Sequence, residues 1–339
     1  VPYIGIINVM KKFESTYDDI ITVENLLRAW EEFLRGKKKR TDVLLFQTRL
    51  MDNIYELQRD LADRKYMHGA YHAFNISDPK PRNIHKATVR DRLLHHLLYQ
   101  ELYPYFDKHF IHDSYSCRVQ KGTHRAMNQF RAFARKVSQN NTRTCWILKC
   151  DIRKFFANID HDILKNILAR YISDSDILWL HGQVIDSFSA EKKGVGLPLG
   201  NLTSQLLINI YMNEFDVFAK RTLKLEHYVR YADDFAILHE DRDYLAALIP
   251  YIQTFLGKEL KLQLHPKKVF IKTLASGVDF LGWVHFPDHR VPRTTTKQRM
   301  LKRVKDFPTD ETIASYAGLL RHGNVGLLLR EIKKLSKGG

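Results

Sequence analysis

The stretch His227-Tyr-Val-Arg-Tyr-Ala-Asp-Asp-Phe-Ala-Ile-Leu238 places two adjacent carboxylates, Asp233 and Asp234, between two apolar runs rich in β-branched and aromatic residues. Such runs favour strands, so the acidic pair falls at a bend between two short strands. Side chains alternate along a strand, but at a tight hairpin both can approach one point. Carboxylates held close repel, and one takes a proton unless a cation is present. A solvated turn is the ordinary home of an Asp-Asp pair. The strand-forming flanks argue against it here, since a hairpin tip more often carries Gly or Asn. Hard oxygen donors of this kind suit Mg²⁺, typically held by one or two carboxylates plus phosphate oxygens. Asp151 ends the apolar strand that begins at Trp146-Ile-Leu, 82 residues before Asp233. It would complete a two-metal site, with ions roughly 3.5–4 Å apart. One ion would activate an attacking hydroxyl and the other would stabilise a leaving pyrophosphate, which is nucleotidyl transfer.

The rest of the chain is consistent with a large polyanionic partner. Its 339 residues can bury a sizeable core and divide into subdomains. The net charge of +16 is unusual for an enzyme of small neutral metabolites and suits nucleic acid. From Phe286 onward there are 12 Lys/Arg against 5 Asp/Glu, and Lys37-Lys-Lys-Arg40 forms a second basic cluster. That cluster reads equally well as a contact to template RNA and as a solvated loop. No apolar run reaches membrane-spanning length and no leader pattern opens the chain, so a cytoplasmic location with no membrane partner is expected. Cys117, Cys145 and Cys150 lack a CxxC spacing and read as reduced thiols. The 16 histidines show no paired metal-ligand spacing, so no zinc is assigned.

Periodicity predicts an α+β chain. Residues 1–20 carry no clear pattern and read as a loose lead-in. Helices are expected over 23–36 after a Thr22 cap, over 42–66 as one long element, over 89–106 until Pro104, and over 125–137. A strand pair over 70–87 would turn at Asp78-Pro-Lys-Pro81. Then come a strand ending at Asp151, helices over 161–172 and 204–223, the two strands around the Asp pair, and a helix over 242–260 that ends at Gly257 or frays beyond it. Residues 261–272 and 277–286 read as strands. The tail, 295–307 and 310–335, reads as helical.

The motifs resemble those of reverse transcriptases. Tyr231-Ala-Asp-Asp234 resembles their YxDD signature, and Asp151-Ile-Arg-Lys-Phe-Phe156 followed by ANIDH resembles their first palm motif. PKPRNIHKATVRDR, DSYSCRVQKGTHRA, GLPLGNLTSQLLINIYMNEFD, LKLQLHPKK and DFLGW follow in the order found in bacterial enzymes of group II intron-like lineage. The intron-type enzymes usually read QGxxxSP where this chain reads Leu199-Gly-Asn-Leu-Thr-Ser-Gln205. The LGxxxSQ form resembles diversity-generating retroelement reverse transcriptases, with retron-like and defence-associated enzymes as alternatives.

The resemblance implies a right-hand polymerase fold. A lead-in over 1–21 would precede α-rich fingers over 22–140. A ferredoxin-like palm over 141–285 and a helical thumb over 286–339 would follow. It implies an RNA-directed DNA polymerase using two Mg²⁺, with Mn²⁺ able to substitute, on dNTPs and a template RNA paired with its primer. A small accessory protein oligomer and a structured noncoding RNA are implied partners of the subtype.

By the same resemblance Asp151, Asp233 and Asp234 hold the metals, with the Ile152 backbone against the triphosphate. Lys268 is the general acid for pyrophosphate, with Lys267 as the alternative. Phe156 would exclude a ribose 2′-OH, with Phe155 beside it. Lys80 and Arg82 would bind the triphosphate, and Gln205 would reach sugar or base. Arg118, Gly200 and Tyr231 would meet template or primer, and Phe280-Leu-Gly282 would form the primer grip. Against the polymerase stand a palm-fold nucleotidyl cyclase, which needs no thumb, and a non-polymerising RNA-binding relative, which needs no intact Asp triad.

Overall fold

The computed structural model describes residues 11–77 and 81–335. Packing divides it into two units, each assembled from separated stretches of chain. The first comprises residues up to Ile111 together with Lys154–Val217 and Phe255–Gln263. The second comprises His112–Arg153, Phe218–Thr254 and the chain from Leu264.

The first unit is mostly helical. Its helices are α1 (Tyr17–Ile20), α2 (Val23–Leu34), α3 (Thr41–Gln47), α4 (Leu50–Ala62), α5 (Val89–Asp107), α7 (His161–Tyr171), α8 (Ser175–Asp186) and α9 (Leu202–Val217). α5 packs against α2 and α9, and α7 against α8 and α9. From Thr203 to Asp216 most of α9 is buried, which makes it the axis of the unit rather than an amphipathic surface helix. A two-stranded antiparallel hairpin of β1 (His72–Ile76) and β2 (Arg82–Lys86) projects from the bundle with its first strand almost wholly exposed. Its turn, with Asp78 and Lys80, lies outside the described residues.

The second unit is built on a four-stranded antiparallel sheet of β3 (Trp146–Asp151), β4 (Tyr228–Tyr231), β5 (Asp234–His239) and β6 (Phe270–Thr273), in spatial order β4-β5-β3-β6. Numbered along the chain this is the order 2-3-1-4 of a ferredoxin-like palm. Helix α6 (Thr123–Val137) lays Ala126, Phe130, Phe133 and Ala134 on β4 and β5, closing a core with Ile147, Val229, Leu238 and Phe280. Each such Leu, Ile or Phe contributes roughly 1.5–3 kcal/mol on leaving water. A smaller antiparallel sheet of β7 (Val278–Phe280), β8 (Trp283–His285) and β9 (Arg290–Pro292) follows. Three helices complete the unit: α11 (Thr294–Asp306), α12 (Asp310–Leu320) and α13 (Gly326–Leu335), gathered on Met127, Trp283, Met300 and Leu320. Helix α10 (Arg242–Leu260) runs through Pro250 and Gly257 without a break.

Several expectations are corrected. The lead-in is not loose at its end. Thr16 caps α1 through a reciprocal capping box with Asp19, and Tyr17 and Ile20 are buried. The single helix over 42–66 is two, broken at Thr48 and Arg49, where the Thr48 hydroxyl donates to the Leu45 carbonyl. Pro104 sits inside α5 rather than ending it, at the cost of one helical hydrogen bond. α8 is a helix beyond those expected, capped by Asp174, whose carboxylate accepts from the Asp176 and Ile177 N–H groups. Of the expected 261–272 strand only 270–272 is regular, as the start of β6, the rest being bent at Pro266. The tail helix over 310–335 breaks between α12 and α13. Gly323 lies there where any β-carbon would strike the Trp283 ring, so the chain turns closely over the indole.

Candidate active site

β4 and β5 are joined by a two-residue loop. Tyr231 pairs with Asp234, leaving Ala232 and Asp233 as the turn. Ala232 has φ +56°, a left-handed value that L-residues rarely adopt, whereas Asp233 is not among the residues of positive φ. This is the φ pattern of a type II′ turn, whose first central residue is usually Gly. β3 and β5 pair so that Asp151 stands directly opposite Asp234. Directly opposed residues have β-carbons roughly 4.5–5.5 Å apart, and like charges so placed destabilise a sheet. The Ile152 N–H donates to the Asp233 carbonyl at 3.1 Å, which ties the turn to the end of β3. Three carboxylates from two distant stretches of sequence therefore converge at one corner of the sheet.

Two lysines offset that charge. Lys149, two residues before Asp151 on the same face of β3, reaches diagonally to the Asp234 carboxylate and is nearly buried. Lys268 donates to both oxygens of Asp151, at 2.9 and 3.0 Å, from a half-exposed position. The compensation is incomplete. Burial first, then the charge of Asp151, raises Asp233 above the usual carboxylate range. Burial, with Asp233 and Asp151 adding to it against Lys149, pushes Asp234 up to about 6. Burial also holds the neighbouring Cys150 thiol up at about 12, so it stays protonated and inert.

The donor set fits a hard divalent cation. It is all-oxygen, partly buried and short of positive charge. Among the described residues no three His, Cys, Asp or Glu side chains already stand as a ligand set, and Asp151 and Asp234 are each engaged by one of the two ammonium groups. An entering ion would have to displace them. The Ile152 N–H is committed to the turn, so a cation would meet that residue only through its carbonyl oxygen.

The other expected residues of this unit surround the corner unevenly. Tyr231 is half-buried and its hydroxyl accepts from Thr123 at 3.3 Å. Arg118 donates to the Ser114 carbonyl at 2.9 Å and sits in a loop where Cys117 and Gln120 have positive φ. Phe280 is corrected. It is wholly buried and stacks on Phe130 at 5.1 Å, so its ring is core and cannot meet a nucleic acid directly. The accessible part of the expected primer grip is the Leu281–Gly282 turn, both residues at positive φ between β7 and β8.

The remaining expected residues lie in the helical unit. Phe155 is likewise corrected to a core position, at 3% exposure, while Phe156 is half-buried edge-on to it. Both stand in a short 3₁₀ turn after Lys154, and the Phe156 carbonyl accepts from the Leu197 N–H. Arg82 is exposed at the start of β2. Leu199–Asn201 runs along that strand. The His85 N–H donates to the Leu199 carbonyl, and the Asn201 amide donates to the His85 carbonyl. Gly200 is required there, because a β-carbon would lie 2.8 Å from Ile84 and φ is +105°. Gln205 is half-buried in the first turn of α9.

Two functional candidates were missed. Lys149 was legible as a lysine inside an apolar strand, on the same face as Asp151. Arg230 lies inside YVRY and is fully buried, a charged residue where the strand pattern demands an apolar one.

A ferredoxin-like sheet with paired acidic residues on its central strands, joined to an α-rich unit and a helical tail, defines the right-hand polymerase class. A telomerase from Candida albicans, solved with a fragment of telomeric RNA, shares this fold at a TM-score of 0.51 and 11% identity, over 82% of this chain and 57% of that one. The profile of the family "Reverse transcriptase (RNA-dependent DNA polymerase)" matches residues 77–285. The chain belongs to the reverse transcriptase family.

Among its relatives, Protein YkfC of Escherichia coli is 24% identical over 274 residues, covering 69% of each chain. The group II intron-encoded protein LtrA of Lactococcus lactis is 22% identical over 287 residues, covering 65% of this chain and 46% of LtrA. A putative COX1/OXI3 intron 1 protein of Saccharomyces cerevisiae is 27% identical over 169 residues, covering 48% of this chain and 19% of that protein. The chain thus spans less than half of these two intron proteins. Among the described residues no helix is long and apolar enough to cross a membrane.

Proposed function

We propose that the protein extends a DNA primer on an RNA template by two-metal nucleotidyl transfer, with Asp151, Asp233 and Asp234 as the metal ligands. The observation that carries this is the register that sets Asp151 against Asp234, with Asp233 in the adjoining turn and burial and mutual repulsion raising both turn carboxylates. Two Mg²⁺ ions, or Mn²⁺ in their place, would supply activation of the primer hydroxyl and charge neutralisation at the pyrophosphate.

The chain's own groups divide the remaining work. Lys268 holds exchangeable protons on a half-exposed ammonium beside Asp151, as a general acid for the leaving group requires. Arg82, exposed on the hairpin, suits triphosphate oxygens, with Lys80 as its expected companion. Phe156 would bar a 2′-OH. Fingers over 22–140, a palm over 141–285 and a thumb over 286–339 remain the division we propose, with the basic tail tracking duplex phosphates. The Leu199–Gln205 segment favours the error-prone, diversity-generating form, in which an accessory protein and a structured RNA would take part.

The test is extension of a DNA primer annealed to RNA, with dNTPs and Mg²⁺, before and after chelation. Chelator-sensitive extension supports the reading. RNA binding without extension would favour the non-polymerising relative, and cyclic nucleotide formation from NTPs the cyclase. Phe156→Ala should admit rNTPs at least tenfold better, and unchanged sugar selectivity would remove that assignment.

A further inference from the structure

We propose that Arg230 is a positioning residue that locks the Ala232–Asp233 turn in its left-handed form and thereby aims the two turn carboxylates. The inference rests on the reading of Asp233 and Asp234 as metal ligands. Arg230 is 0% exposed and is the largest fully buried side chain among the described residues. One guanidinium nitrogen donates to the Ala232 carbonyl and another to the Ser114 hydroxyl, each at 3.0 Å. Its backbone N–H donates to the Asp113 carbonyl at 2.9 Å, and its own carbonyl accepts from the Tyr115 N–H at 3.0 Å. Asp113 in turn meets Lys220 at 3.2 Å. The arginine is therefore anchored to the 113–115 segment beside β4, and from there its side chain reaches forward two residues to the turn.

This arrangement answers two oddities together. A buried charge is costly unless fully engaged, and an apolar residue would fill the same space. Ala at positive φ is strained, and nothing in its own chemistry holds it there. The Ala232 carbonyl is fixed by Arg230, and the next carbonyl, that of Asp233, is fixed by the Ile152 N–H. Two successive peptide planes flanking Asp233 are thus pinned, one by a β4 side chain and the other by the backbone just past β3. The directions in which Asp233 and Asp234 leave the backbone follow from those planes.

The test uses full-length Arg230→Lys, Ala232→Gly and the double variant. Lysine keeps the charge but lacks the planar fork whose two nitrogens meet the two acceptors, whereas glycine takes the turn's φ without strain. Arg230→Lys should weaken Mn²⁺ binding, followed by its electron paramagnetic resonance signal, about tenfold, and raise the Mg²⁺ needed for half-maximal extension by a similar factor. Adding Ala232→Gly should recover most of that loss, which a merely space-filling arginine would not predict. Unchanged metal binding in a folded Arg230→Lys protein, or no recovery in the double variant, overturns the proposal. Should Arg230→Lys fail to fold, Ser114→Ala, which removes one anchor and leaves the arginine in place, takes over both readouts with the same expected directions. Hydrogen exchange separates this claim from the polymerase reading. Faster exchange of the Ile152 N–H in Arg230→Lys supports the clamp even if wild type extends no primer, and unaltered exchange sinks it.

Discussion

At the scale of single residues the site is built against stability. Asp234 at about 6 means that folding disfavours its ionised form. A carboxylate raised in the folded state contributes stability that is complete below its unfolded value, near 4, and is lost as pH rises through about 6. Asp234→Asn mimics the protonated state, so in metal-free buffer it should melt higher than wild type at pH 7, by roughly 1–3 kcal/mol. That advantage should close as the pH falls towards 4, and a gap that does not vary with pH would contradict the charge balance described. Metal binding needs the ionised carboxylates, so it should fail in the opposite direction, weakening as pH falls below about 6. Lys149→Met removes the counter-charge and should move that midpoint to higher pH. The Asp triad was legible in the sequence because carboxylates inside apolar strands are conspicuous. The burial of Phe155 and Phe280 was not: the Phe155-Phe156 pair gives no sign of which ring faces inward, and Phe280 stands directly before a turn, where the strand alternation that would place it runs out. Arg230 escaped for the converse reason. A charged letter in an apolar run reads as an outward residue until a partner for it is seen.

At the scale of elements, the regular pieces were read well where the periodicity was strong, as for α6 and the β4–β5 hairpin, and best for α2, where period and the Thr22 cap agreed. They were misread where tertiary packing overrode a local signal. Pro104 and Gly257 both lie inside helices, α5 and α10, rather than ending them. Conversely, α3 and α4 part at Thr48-Arg49 with neither Gly nor Pro to announce it. The break between α12 and α13 has a steric reason the sequence shows only as a glycine. Gly323→Ala would drive a β-carbon into Trp283 and should destabilise the helical tail by about 1–3 kcal/mol. Limited proteolysis within 294–335 is the measurement, and cleavage no faster than in wild type would show that the turn can shift to make room.

At the scale of the whole molecule, the excess of 54 Lys/Arg over 38 Asp/Glu was the first pointer to a polyanion, and it carries its own prediction. If phosphate contacts supply most of the affinity for a template–primer duplex, the logarithm of the binding constant should fall steeply and linearly with the logarithm of salt concentration. A flat profile would leave the basic tail without the role proposed. The fold class was legible because the motif order constrains the strand order. The splitting of the chain into two interleaved units was not, because the long insertion between β3 and β4 carries no linker-like composition.

The most direct measurement compares wild type with Asp233→Asn in primer extension on an RNA template across a Mg²⁺ titration, with melting of both proteins recorded alongside. The account predicts Mg²⁺-dependent extension by wild type and a loss of at least a thousandfold in the variant, while the variant melts no lower than wild type. Extension by a folded Asp233→Asn protein at the wild-type rate and the same Mg²⁺ requirement would contradict it.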